Sequence, residues 1–209
     1  MKGMTPEEIY RQSFTQIRQG LDVSCSGEER CIIERIIHAT ADWDYRDTMR
    51  IHPRAVKSAV EAIRLKLPIV TDVTMVLAGF NHGLMERTGV KSWCYVNDPE
   101  TYNVAPRLNM TRAAWGIKQA ARIHGNNVIV VIANAPTALL EALHVVEEGW
   151  RPHVIIGVPV GFVMAKEAKE SLTQQSHTPY ITNLSEKGGS PVGAAIVNAL
   201  LQLAGGKVC

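Results

Sequence analysis

The sequence predicts an α/β fold: a three-layer, doubly wound, mainly parallel five-stranded sheet with helices on both faces and an N-terminal helical segment. Three observations carry this. Five short apolar runs of strand length lack polar alternation, as strands covered on both faces do. Turn residues follow each run and helical stretches follow most of them. Right-handed crossovers between parallel strands then leave a doubly wound sheet as the architecture.

The elements follow in chain order. Thr5-Pro6-Glu7-Glu8 forms a capping box with proline in the first turn, and Ile9, Phe14, Ile17 and Leu21 share a stripe, so a helix runs from 6 to about 20. Ser26-Gly27-Glu28-Glu29 repeats the cap signal ahead of Cys31, Ile32, Ile36 and Ile37, with the helix ending near His38. A third helix begins at Pro53 and reaches about Lys66. The five strands are expected at Pro68–Val73, Ser92–Val96, Val128–Ile132, Val154–Gly157 and Pro179–Thr182. Helices are expected at Thr111–Ile123, Pro136–Glu148, Val163–Gln174 and Ser190–Leu203, with a further helical turn at Thr74–Ala78. The whole chain, 1–209, reads as a single domain, with helices over about 5–66 and the sheet-forming part over about 67–209.

Composition narrows the function. With 209 residues, one core can bury roughly 70% of the unfolded surface without disulfides or structural metal. Apolar residues at 46% and charged residues at 20% exclude disordered and fibrous classes. A net charge of +2 is too balanced for nucleic-acid or membrane-surface binding by field alone. Cys25, Cys31, Cys94 and Cys209 form no C-x-x-C pair, which reads as free thiols. No apolar run approaches the ~20 residues of a membrane helix, and no export signal follows Lys2, so the expected location is the cytoplasm.

Ligands of open parallel sheets bind beyond the carboxyl ends of the strands. The unusual residues stand there: Thr71-Asp72, Asn97-Asp98-Pro99, Asn134-Ala-Pro-Thr137, Gly157-Val-Pro-Val-Gly161 and Lys187-Gly188-Gly189-Ser190. The last opens a helix, whose bare amides suit an anion; on the motif alone an ordinary glycine turn capped by Ser190 is the readier reading. No G-x-G-x-x-G or Walker loop is present, and the proline in Gly157–Gly161 argues against a dinucleotide. His38 ends its helix, where the dipole, with Asp42 and Asp44 behind it, would raise its pKa and make it a proton donor; a plain helix-capping histidine is the alternative. His82 lies in an Asn-His-Gly turn and stays possible as a site residue. No H-E-x-x-H spacing occurs, so no catalytic metal is expected. Ser13 interrupts an apolar run and reads as a surface serine, with no G-x-S-x-G elbow anywhere. Arg112, at a helix start, opposes the dipole, which suits the capture of a carboxylate.

Ile36-Ile-His-Ala39, Asn134-Ala-Pro-Thr-Ala-Leu139, Ile156-Gly-Val-Pro-Val-Gly-Phe-Val163 and Lys187-Gly-Gly-Ser190 occur in that order. Together they resemble the precorrin-8X methylmutase family, including its cobalt-precorrin-8 branch, over nearly the whole chain. The resemblance implies an isomerase of corrin (vitamin B12) biosynthesis that moves a methyl group to the adjacent ring carbon of a polycarboxylated tetrapyrrole. It implies no cofactor, and a homodimer with the ligand site near the subunit interface. His38 matches the family's proton-donating histidine; Ser13, Arg112 and Asn81 match its substrate-lining positions, and Lys187, Gly188, Gly189 and Ser190 its glycine loop. Departures stand at Ala41, Ala113, Phe80-Asn81 and Ser185-Glu186. A corrinoid carrier on the same fold is the alternative function, and a nucleotide-dependent oxidoreductase is disfavoured by the missing fingerprint.

Overall fold

The computed structural model describes residues 3–21 and 27–206. In chain order, α1 (Pro6–Gly20) and α2 (Gly27–Thr40) lead into α3 (Tyr45–Thr48), β1 (Met49–Ile51), α4 (Ala55–Arg64), β2 (Ile69–Thr71), α5 (Thr74–Ala78) and α6 (His82–Thr88). Next come β3 (Ser92–Cys94), α7 (Pro99–Val104), a 3₁₀ turn at Pro106–Leu108, α8 (Arg112–His124), β4 (Ile129–Ile132) and α9 (Pro136–Glu147). The chain finishes with β5 (Val154–Gly157), α10 (Ala165–Gln174), β6 (Tyr180–Asn183) and α11 (Ser190–Ala204).

The caps read from the sequence do what their chemistry requires. Thr5 Oγ1 accepts from the Glu8 amide at 3.2 Å while Glu8 accepts from the Thr5 amide at 2.8 Å, closing the capping box of α1. Thr111 caps α8 by accepting from the Ala114 amide at 3.2 Å. The Ser26 cap lies outside the described residues.

The sheet has six strands in the order β1-β6-β5-β4-β2-β3, parallel except for β1, which pairs antiparallel with β6. The doubly wound, mainly parallel class is as expected, with one strand more than the five read from the sequence. The additional strand comes from the 5–66 segment expected to be helical. Met49–Ile51 is only three residues long and gains its identity from the open edge of β6. Such a strand is set by tertiary pairing rather than by local pattern.

Side chains alternate across the sheet. Ile69, Ile129, Val131, Ile156 and Ile181 join α2, α4 and α11 in one apolar layer. Val70, Val130, Ile132 and Ile155 meet α8, α9 and α10 on the other face. Each fully buried aliphatic side chain is worth roughly 1.5–3 kcal/mol. Helix α11 lies close because Gly193 has no side chain; a Cβ there would stand 2.6 Å from that of Ala133.

Sulfur chemistry departs from the free-thiol expectation at one position. Cys31 is disulfide-bonded, whereas Cys94 is a free thiol. Cys25 and Cys209 lie outside the described residues. Among the described residues no helix is long and apolar enough to cross a membrane.

Candidate active site

The chain turns back on itself between β2 and β4, which makes their carboxyl ends the switch point of the sheet. Asp72 fills that crevice. Its buried carboxylate accepts from the amides of Ala133 at 3.1 Å and of Asn134 and Ala135 at 2.8 Å each. Burial pushes the Asp72 carboxyl up, and the three amides pull it back. At this switch point the Asp72 carboxyl group thus fixes the loop leading to Pro136 and Thr137.

His38 lies at the seam of α1 and α2. Glu34 is buried and accepts from Arg18 Nε at 3.0 Å and Arg30 Nε at 2.9 Å, locking α1 onto α2. This register lays the Phe14 ring on the His38 imidazole, with centroids 4.7 Å apart and planes 21° apart. Tyr10 stands 5.5 Å from the same imidazole and 4.6 Å from Phe14. One turn before His38, the Arg35 guanidinium sits 5.3 Å from the Phe14 centroid and 5.8 Å from that of Tyr10.

His38 corrects an expectation. Its pKa is lowered, first by partial burial and then by the Arg35 charge, not raised by Asp42 and Asp44. Both aspartates turn away to Lys187, whose ammonium lies 2.7 Å from Asp42 Oδ2 and also bonds Asp44. That hydrogen bond holds Asp42 below the usual carboxylate range and raises Lys187 above the usual ammonium range. The helix end and the glycine loop are thus tied together 143 to 145 positions apart, a pairing that local spacing does not reveal.

The loop itself is built by close approach. A Cβ on Gly188 would fall 2.2 Å from the Val158 carbonyl oxygen, and Gly189 adopts φ +108° and donates to that carbonyl at 2.9 Å. Beneath it, the buried Lys169 donates to the Lys187 carbonyl at 2.8 Å, and burial lowers its ammonium to about 8. Ser190 is buried as the first residue of α11.

The remaining candidates divide between the two helical layers. Ser13 is half-buried and donates to the Ile9 carbonyl at 2.9 Å, next to Phe14 on α1. Asn81 caps α6 through the Leu84 amide at 3.0 Å, and its own amide donates to Asn198 at 2.8 Å. Arg35 bonds Gln202, one turn further along α11. Residues four apart share a helix face, so the Arg35 side chain and the Asn81 amide meet the same face of α11. His82 opens α6 and is exposed.

Arg112 belongs to the other layer. It is exposed at the start of α8, with its guanidinium 4.6 Å from the Tyr102 centroid, beside a Thr111–Thr137 hydroxyl pair at 2.8 Å. Among the described residues no hydrogen bond or ring contact joins Arg112 to His38. Sequence reading missed Asp72 and Lys169 as anchors and Phe14 and Arg35 as neighbours of His38. Asp72 stood out only as a polar residue at a strand end, and Arg35 left a signal of its own: Glu34-Arg35 interrupts a run of isoleucines at positions 32, 33, 36 and 37.

Comparison with known proteins covers this whole framework. The chain is 44% identical over 187 residues to the cobalt-precorrin-8 methylmutase of Leptospira interrogans, spanning 86% of this chain and 85% of that protein. It is 39% identical to the cobalt-precorrin-8 methylmutase of Priestia megaterium over 95% of this chain and 88% of that one. The solved precorrin-8X methyl mutase of Thermus thermophilus superimposes with a TM-score of 0.87 at 32% identity, covering 95% of this chain and 96% of that one. Residues 8–203 match the sequence model of the precorrin-8X methylmutase family, and the chain belongs to that family.

Proposed function

We propose that this protein catalyses the methyl shift of precorrin-8X or cobalt-precorrin-8 to hydrogenobyrinate or cobyrinate, with His38 as the proton donor. As a methylmutase it is an isomerase of cobalamin biosynthesis, so the substrate's atoms are rearranged and nothing is consumed. His38 protonates a ring nitrogen, the methyl group migrates to the adjacent ring carbon, and the proton returns as conjugation is re-established. One proton and fixed positioning suffice for such a step. The observation that carries this reading is the stack of the exposed His38 imidazole on the buried Phe14 ring.

Arg112 and the Lys187–Ser190 loop supply carboxylate contacts, the Gly189 amide holding the loop in shape through the Val158 carbonyl, and Ser13 and Asn81 line the ring. Lys187 serves the same loop through its bridge to Asp42 and Asp44. Partial burial, and then the Arg35 charge, disfavour the imidazolium of His38 in the free protein. A polycarboxylate bound next to Arg35 offsets that charge and favours the imidazolium.

The protein acts as a homodimer. Arg112 and His38 belong to opposite helical layers, and the segment after β5 exposes Phe162 at 96% and Val163 at 73%. A second copy would cover that apolar segment and complete the site. Incubating the protein with precorrin-8X and with cobalt-precorrin-8, followed by absorption spectroscopy, tests the activity. Formation of hydrogenobyrinate or cobyrinate supports it; tight product binding with no turnover of either substrate would leave a corrinoid carrier instead.

A further inference from the structure

Between α1, α2 and α11 lies a cavity of about 210 Å³ that none of the expected site residues lines. Its walls are Tyr10, Phe14, Thr15 and Gln202, and three arginines, Arg11, Arg18 and Arg35, surround it. Arg18 is paired with Glu34, a carboxylate it shares with Arg30. Arg11 is exposed and forms no ion pair among the described residues. Arg35 spends one terminal nitrogen on Gln202, and its Nε is buried with no acceptor. A buried guanidinium N–H without a partner is costly, and its fork geometry matches the two oxygens of a carboxylate.

We infer that this cavity is a subsite for one carboxylate side arm of the tetrapyrrole, held by Arg35 and Arg11 one helical turn from His38. The inference rests on the proposed function, which supplies a substrate bearing several carboxylates. Size agrees with it: whole-ligand pockets run to about 300–1,000 Å³, so this space admits a side arm and not the macrocycle. Tyr10 and Phe14 form both the wall of the cavity and the stack on His38, so an arm seated here fixes the ring against the imidazole. Arg18 and Glu34 set the floor by holding the two helices in register. The subsite also selects by charge, because an amide in place of the carboxylate leaves both guanidinia unpaired.

The test titrates cobyrinate and a fully amidated corrinoid, cobinamide, into the full-length wild type, Arg11→Gln and Arg35→Gln proteins. Cobyrinate binding should weaken about 10- to 100-fold in each variant, as expected for a lost charge-assisted contact. Cobinamide should bind all three proteins alike, and more weakly than cobyrinate binds the wild type. Arg11 is exposed, so Arg11→Gln reads the subsite even where Arg35→Gln impairs folding. Wild-type affinity for cobyrinate retained within twofold in folded Arg11→Gln and Arg35→Gln would overturn the subsite and leave the methylmutase reading intact. A wild type that binds no cobyrinate would remove that reading and the subsite with it.

Discussion

The His38 imidazole lies on the Phe14 ring at 4.7 Å, nearly parallel to it, and this contact joins α1 to α2. Phe14 is buried, so the stack is backed by core packing and not by solvent-exposed chain. Replacing it by leucine keeps apolar bulk but removes the flat surface that sets the imidazole plane. Phe14→Leu is expected to lower kcat about 10- to 100-fold, the scale of a small misplacement, with KM changed less. Stability should fall by less than the ~3–5 kcal/mol typical of Phe→Ala. Unchanged kcat in the folded variant would show that the stack does not orient the acid.

The pH dependence follows from the same neighbourhood. Partial burial and then Arg35 hold His38 below the ordinary histidine pKa of 6.5. The free protein should therefore lose kcat/KM as pH rises through a value under 6.5, while kcat, reporting the bound complex, breaks at higher pH. For stability the sign is opposite to that of an imidazolium gaining a partner. The contribution of His38 is complete above pH 6.5 and is lost as pH falls through its folded pKa. Arg35→Gln should raise the His38 pKa only in part, because burial is the larger cause. An NMR titration of the imidazole with a midpoint above 6.5 in the free wild type would contradict this.

Asp72 offers a separate check on how the sheet positions the site. Its two oxygens accept from three consecutive amides, so Asp72→Asn turns an NH₂ toward donors. A loss of about 1–3 kcal/mol is expected. At roughly 2–4 °C per kcal/mol for a chain of this size, a thermal melt resolves it readily. An unchanged Tm would mean that the 133–135 loop holds itself.

The fold class was legible because its signals are local. Thr5, Pro6 and Glu8 mark a helix start within four residues, and Val128–Ile132 marks a covered strand without any partner in view. Met49–Ile51 left no such mark, since three residues at a sheet edge become a strand only when β6 presents its free edge. The site divides in the same way. Helix-terminal placement singled out His38, and the dipole rule predicted a raised pKa, whereas burial, and then Arg35 one turn back, lower it. The aspartates assigned to His38 by proximity in sequence instead meet Lys187, and Asp72 meets amides more than 60 residues away. Contacts over such separations depend on chain path, which periodicity does not encode.

The account depends most on His38 as proton donor, and His38→Ala tests that directly. Single-turnover conversion of cobalt-precorrin-8, followed by absorption, should slow about 10²–10⁴-fold in the variant. Cobyrinate should still bind, because the proposed carboxylate contacts, at Arg112, the glycine loop and the Arg35 cavity, do not involve His38. Conversion at the wild-type rate by a folded His38→Ala protein would contradict the central claim.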